Sequence, residues 1–169
     1  MQPDRDRAEL YAAELSAFDG TDLESVVGFG AVSAALRDVV DGSWWPGPAV
    51  VVRRARSDAR TSTTRCSSSV GATTRTMTTT IRFAPQQTTI ATAAHELAHA
   101  LVGPAAGHDA SFRRAYLDIV AVITNRSSLD RRGDLHVEQL HRAFESAGLS
   151  IAPRRWPSPP SAVAGPIAL

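Results

Sequence analysis

Apolar positions along this chain recur with two periods, and the switches between them delimit its elements. Across residues 4–18, Leu10, Tyr11, Leu15 and Phe18 fall at helical spacing, and Asp19-Gly20 ends the run. Thr21 followed by Glu24 has the form of a capping box, but Gly28 and Gly30 weaken any helix running straight through. A stronger helix is predicted over residues 31–40, with Val32, Ala35, Leu36 and Val39 on one stripe. After the Trp44-Trp45-Pro46-Gly47-Pro48 turn, residues 49–53 are a β-branched run that reads as a strand. Residues 57–74, rich in serine, threonine and arginine, read either as a long mobile loop or as a polar edge hairpin. Residues 76–83 alternate cleanly. Met77, Thr79, Ile81 and Phe83 share one face and Thr76, Thr78, Thr80 and Arg82 the other, the mark of a half-buried strand.

The period turns helical again over residues 87–102, where Ile90, Ala94, Leu97 and Leu101 mark a buried face and Gly103-Pro104 stops the helix. Asp109 is placed to cap a further helix with the stripe Phe112, Tyr116, Ile119, Val120 and Ile123, and a last helix spans residues 134–147. These elements predict an α+β fold: a small, mostly antiparallel sheet packed on the 87–102 helix, with additional helices around it. Residues 1–152 read as a single domain, and proline-rich residues 153–169 as a disordered tail. A chain of 169 residues suits one domain with its own core and is short for two.

No stretch approaches the roughly 18 apolar residues that a membrane span needs, and the charged opening residues lack an apolar signal core. Cys66 is the lone cysteine, so disulfide frameworks and cysteine-rich zinc sites are excluded, and the expected compartment is the reducing cytoplasm. The net charge is only +1, but it is unevenly spread. Residues 1–41 carry nine acids against three arginines, and residues 53–82 carry seven arginines against Asp58. The simplest account is that the two segments face each other across one fold; contact with nucleic acid through the stretch from Arg53 to Arg82 is the alternative.

One pentapeptide carries recognisable chemistry: His95-Glu96-Leu97-Ala98-His99. Residues four apart on a helix sit one above the other, so both imidazoles can reach one ion at about 2.0–2.1 Å. At roughly 100° per residue the two histidines lie opposite Ile90, Leu97 and Leu101, which turns them away from the apolar stripe and toward a cleft. Glu96, to the side of His99, is placed to take a proton from a water on that ion and hand it to a leaving group. The bland alternative is a helix whose histidines merely solvate its outer face.

A catalytic zinc usually takes three protein ligands. The metzincin pattern needs a histidine at position 105, where Ala105 stands. His108, beyond the Gly103-Pro104 break and the Gly107 hinge, is the nearest histidine and the favoured third ligand, with Asp109, Asp118 and Glu138 as alternatives. His136 and His141 are five apart, which puts them on different faces of a helix, and both read as surface residues.

Taken with Gly107-His108-Asp109-Ala110-Ser111-Phe112, the pentapeptide resembles the paired signature of SprT-like zincins, whose histidine-glycine-x-x-phenylalanine motif carries the third zinc ligand. Over about residues 5–150 the chain is similar to a family of small metallohydrolases from actinobacteria and their phages. The shared features are Tyr11-Ala12-Ala13-Glu14, the Trp44-Trp45-Pro46 corner and the short helical C-terminal region. The resemblance implies a zincin-like fold, zinc held by His95, His99 and His108, and Glu96 as the catalytic acid and base. Asp109 departs from the pattern, standing where SprT-like sequences have glycine.

The expected activity is zinc-dependent hydrolysis of peptide bonds in a protein or peptide substrate, with Glu96 as general base. The 76–83 strand is expected beside the cleft, pairing with extended substrate. Tyr116 and the arginines after Phe112 are candidates to stabilise the oxyanion, although Tyr116 reads better as core. The alternatives are a nucleic-acid-associated module and a zincin fold kept for binding without turnover. No aromatic residue interleaves with the arginines, which disfavours stacking on single strands.

Overall fold

A computed structural model describes residues 6–70, 75–126 and 133–160. Among them, five α-helices and three strands run in the order α1 (Arg7–Phe18), α2 (Phe29–Val40), β1 (Ala49–Arg54), β2 (Thr63–Val70), β3 (Arg75–Phe83), α3 (Ile90–Val102), α4 (Ala110–Arg126) and α5 (Gly133–Ser146). The expected α+β class holds. The sheet, ordered β1-β3-β2, is mixed rather than mostly antiparallel: β1 runs parallel to β3, and β2 antiparallel to it.

Serine- and threonine-rich residues 57–74 therefore contain a real strand. β2 has too few apolar groups to announce itself, and its ladder to β3 supplies the order that its own sequence lacks. In consequence β3 is the central strand, not the edge beside a cleft, and β2 occupies the edge near α3. The alternation predicted for β3 is present, with Thr79, Ile81 and Phe83 buried and Arg82 exposed, although Met77 is exposed at the outer end.

α1 is turned from its expected stripe. It buries Leu10, Ala13, Ala17 and Phe18 and leaves Leu15 exposed, because the small face of Ala13 and Ala17 lets α5 approach closely. Thr21 and Glu24 bound a single 3-10 turn rather than a capped α-helix, and the Thr21 hydroxyl bonds back to the Phe18 carbonyl at 2.7 Å. α4 runs through the centre, with Phe112, Ala115, Tyr116, Ile119, Val120 and Ile123 all buried. Each large apolar side chain so buried is worth about 1.5–3 kcal/mol.

Part of the expected disordered tail is docked. The buried Asp118 carboxylate of α4 accepts from Arg154 Nε at 2.6 Å, Arg154 Nη2 at 2.8 Å and Trp156 Nε1 at 2.9 Å. Trp44 Nε1 donates to the Pro157 carbonyl at 2.9 Å. Proline-rich composition predicted disorder, but one buried carboxylate and two indoles hold residues 154–157; residues 161–169 lie outside the described residues. No helix among the described residues is long and apolar enough to cross a membrane.

Candidate metal centre

α3 begins where Thr89 Oγ1 accepts the Thr92 N–H at 3.1 Å and ends at Gly103, whose φ of 92° L side chains rarely adopt. Gly107, at φ 59°, then bends the chain so that His108 returns toward α3. Asp109 caps α4, its Oδ1 accepting the backbone N–H groups of Ser111 at 2.8 Å and Phe112 at 2.9 Å. Arg113 braces the same turn from within, donating to the His108 carbonyl at 2.7 Å and to Asp6 at 2.8 Å.

The result is a cluster of three imidazoles. His95, His99 and His108 each offer a ring nitrogen, and these atoms all lie within 4.8 Å of one another. His95 Nε2 is 3.3 Å from His108 Nε2. Two nitrogens about 2.0–2.1 Å from one tetrahedral ion stand about 3.3 Å apart, so this pair already has the spacing that a shared metal requires. His99 Nδ1 is buried with no hydrogen-bond partner among the described residues. The group fits a metal ion.

The other third-ligand candidates are engaged elsewhere. Asp109 is a helix cap, Asp118 holds Arg154, and Glu138 pairs with Arg142 on the surface of α5. His136 corrects its surface assignment: it is buried against Phe18, with Asp22 3.3 Å from its Nε2, because α5 packs that side of the helix onto α1. His141 is half-exposed beside Glu145, as expected.

The histidine face of α3 is more enclosed than its polarity suggested. Phe112 packs against all three rings at centroid distances of 4.4–5.0 Å, and Tyr11 lies 5.9 Å from His95 and 5.5 Å from His108. The opening that remains is a cavity of about 520 Å³ bordered by Arg7, Tyr11, Glu14, Glu24, His95, Glu96 and Tyr116 among others.

No known family model, curated protein or solved structure matches this chain.

Two partners of the site escaped the sequence. Glu14 of α1 sits 2.5 Å from His95 Nδ1, and the Thr64 hydroxyl of β2 donates to Glu96 Oε2 at 2.6 Å. Glu14 entered the sequence reading only within Tyr11-Ala12-Ala13-Glu14, and nothing local connects that segment to a helix some eighty residues on.

These neighbours set the charges. Burial raises the Glu96 pKa above the ordinary carboxylate value, opposed by the Thr64 hydrogen bond and His95 and reinforced by Glu14. Burial, with the charges of His95 and His108, lowers His99 to about 3, so that ring is neutral and its lone pair free for a metal at neutral pH. Burial works to lower His95 as well, but the Glu14 carboxylate outweighs it and the net shift is upward. Burial and Glu14 hold Tyr116 well above the usual phenol range, so it stays protonated. Arg113 and Arg114 are spent on the backbone carbonyls of Ser150 and Ala152, which removes them as oxyanion candidates.

Proposed function

We propose that this protein is a zinc-dependent hydrolase of zincin type that cleaves peptide bonds, with Glu96 as general base. The observation that carries the reading is the convergence of three imidazoles from α3 and the following turn on one point, with Glu96 of the same helix bordering the adjoining cavity. Zinc, when held by His95, His99 and His108, supplies a Lewis acid for the scissile carbonyl and acidifies a water. Glu96 has the character its task demands. A carboxylate raised by burial accepts a proton more readily than an exposed one, and once protonated it can donate to the departing amine. Thr64 holds one carboxylate oxygen and so fixes the orientation of the other. The exposed edge of β2, rather than β3, is the strand available to pair with an extended peptide.

Metal content and turnover test the reading separately. The purified protein should carry about one zinc per chain and His99→Ala almost none. Glu96→Gln should keep the zinc and lose hydrolysis of a peptide library by at least about 100-fold. Zinc retained with no turnover in the parent protein would leave a zincin fold kept for binding.

A second reading attaches to the outer face of the sheet. Arg53 of β1 and Arg82 of β3 are cross-strand partners, and Arg65 of β2 points to the same side one row away. Like charges set opposite each other destabilise a sheet, so an anionic partner gives this face a reason to exist. Lacking aromatic side chains, it suits the phosphates of duplex nucleic acid better than stacked single-stranded bases.

A further inference from the structure

We propose that Glu14 is the positioning residue of the metal centre: from α1 it fixes the tautomer and orientation of His95. This inference rests on the metal reading above and adds a residue to it. His95 presents Nε2 to the cluster, 3.3 Å from His108 Nε2, and Nδ1 to Glu14 Oε1 at 2.5 Å. A carboxylate accepts, so the ring proton belongs on Nδ1 and the lone pair belongs on Nε2, facing the other imidazoles. The opposite tautomer would set a lone pair against the carboxylate and a proton against the metal position.

The surroundings hold this arrangement in place. The side chains of His95 and Glu14 are 10% and 14% exposed, so water competes weakly for either. Tyr116, buried on α4, donates its hydroxyl to the Ala91 carbonyl at 3.3 Å and sets its ring 5.6 Å from that of His95. Tyr11, one turn before Glu14, stacks on the His95 ring with an interplanar angle of 22°. α1 thus contacts His95 twice, once over its face and once at its far nitrogen. Because α1 is anchored on the core by Leu10 and Phe18, the ligand is oriented by an element remote in sequence from the motif that contains it.

Carboxylates behind ligating histidines are worth about 10–100-fold in metal affinity. Zinc affinity, read by competition with a chromophoric chelator, should fall by about that factor in Glu14→Ala. The loss should be smaller in Glu14→Gln, whose amide oxygen still accepts one bond. Glu14→Asp should recover part of it, a graded rescue that a packing defect would not give. In the metal-free protein, at a pH high enough to leave His95 neutral, nitrogen NMR of the imidazoles should report His95 as the Nδ1–H tautomer and a mixture in Glu14→Gln. Should Glu14→Ala fail to fold, the isosteric Glu14→Gln decides. Parent-level zinc affinity and an unchanged His95 tautomer in a folded Glu14→Gln would overturn the role of Glu14 while leaving the metal site standing. A parent protein that binds no zinc would overturn the metal reading itself, and this inference with it.

Discussion

On the inner side of β2, Thr64 reaches Glu96 of α3, whereas one residue further on Arg65 stands in solvent across from Thr80. A single strand therefore serves two regions of opposite character. One is a half-enclosed centre where imidazoles and carboxylates constrain each other at hydrogen-bond distance. The other is an open face where arginines of like charge stand in solvent with no carboxylate set opposite them in the ladder. Side chains alternate along a strand, so neighbouring residues answer to different demands, and a polar composition says little about which demand applies.

The largest effect expected belongs to the enclosed side. His108→Ala should remove zinc almost completely, because two imidazoles on one helix bind it weakly. Metal analysis after dialysis decides this, and full retention would break the contrast drawn between the two regions. On the open side, replacing Arg53, Arg65 and Arg82 together by alanine should leave zinc content unchanged. If the face binds duplex DNA, its log affinity against log salt should flatten by about 2.7, the share of three phosphate contacts. No binding by the parent protein in a low-salt gel shift removes that reading.

Thr64→Ala probes the seam between the regions. Its hydroxyl favours the charged carboxylate, so its loss should raise Glu96 further and move the acid limb of the hydrolysis profile to higher pH. An unmoved limb would mean that Glu96 does not govern it. The smallest effect is reserved for Asp109→Ala, which should cost about 1 kcal/mol in denaturant unfolding and keep the metal. Loss of zinc there would return Asp109 to the ligand set.

The two histidines of α3 were legible because a helix repeats locally: residues four apart meet whatever the rest of the chain does. The Asp109 cap and the breaks at Gly103 and Gly107 were legible for the same reason, being set by backbone demands within a few residues. β2 was not, since a serine- and threonine-rich strand takes its order from a neighbour. Nor was His136, whose burial depends on how α5 meets α1. Arg154 and Trp156 were hidden by the prolines around them, and Asp118, their partner, lies a helix away.

By itself the sequence determined the helical periods, the pairing of His95 with His99, the catalytic candidate Glu96 and the turn that brings His108 back. Only the tertiary structure decided that β3 is central, that the sheet is mixed, that Thr64 bears on Glu96 and that Glu14 stands behind His95. Local spacing follows from the geometry of one element, whereas contacts between distant segments depend on which faces exclude water together, and that is a property of the whole packed chain.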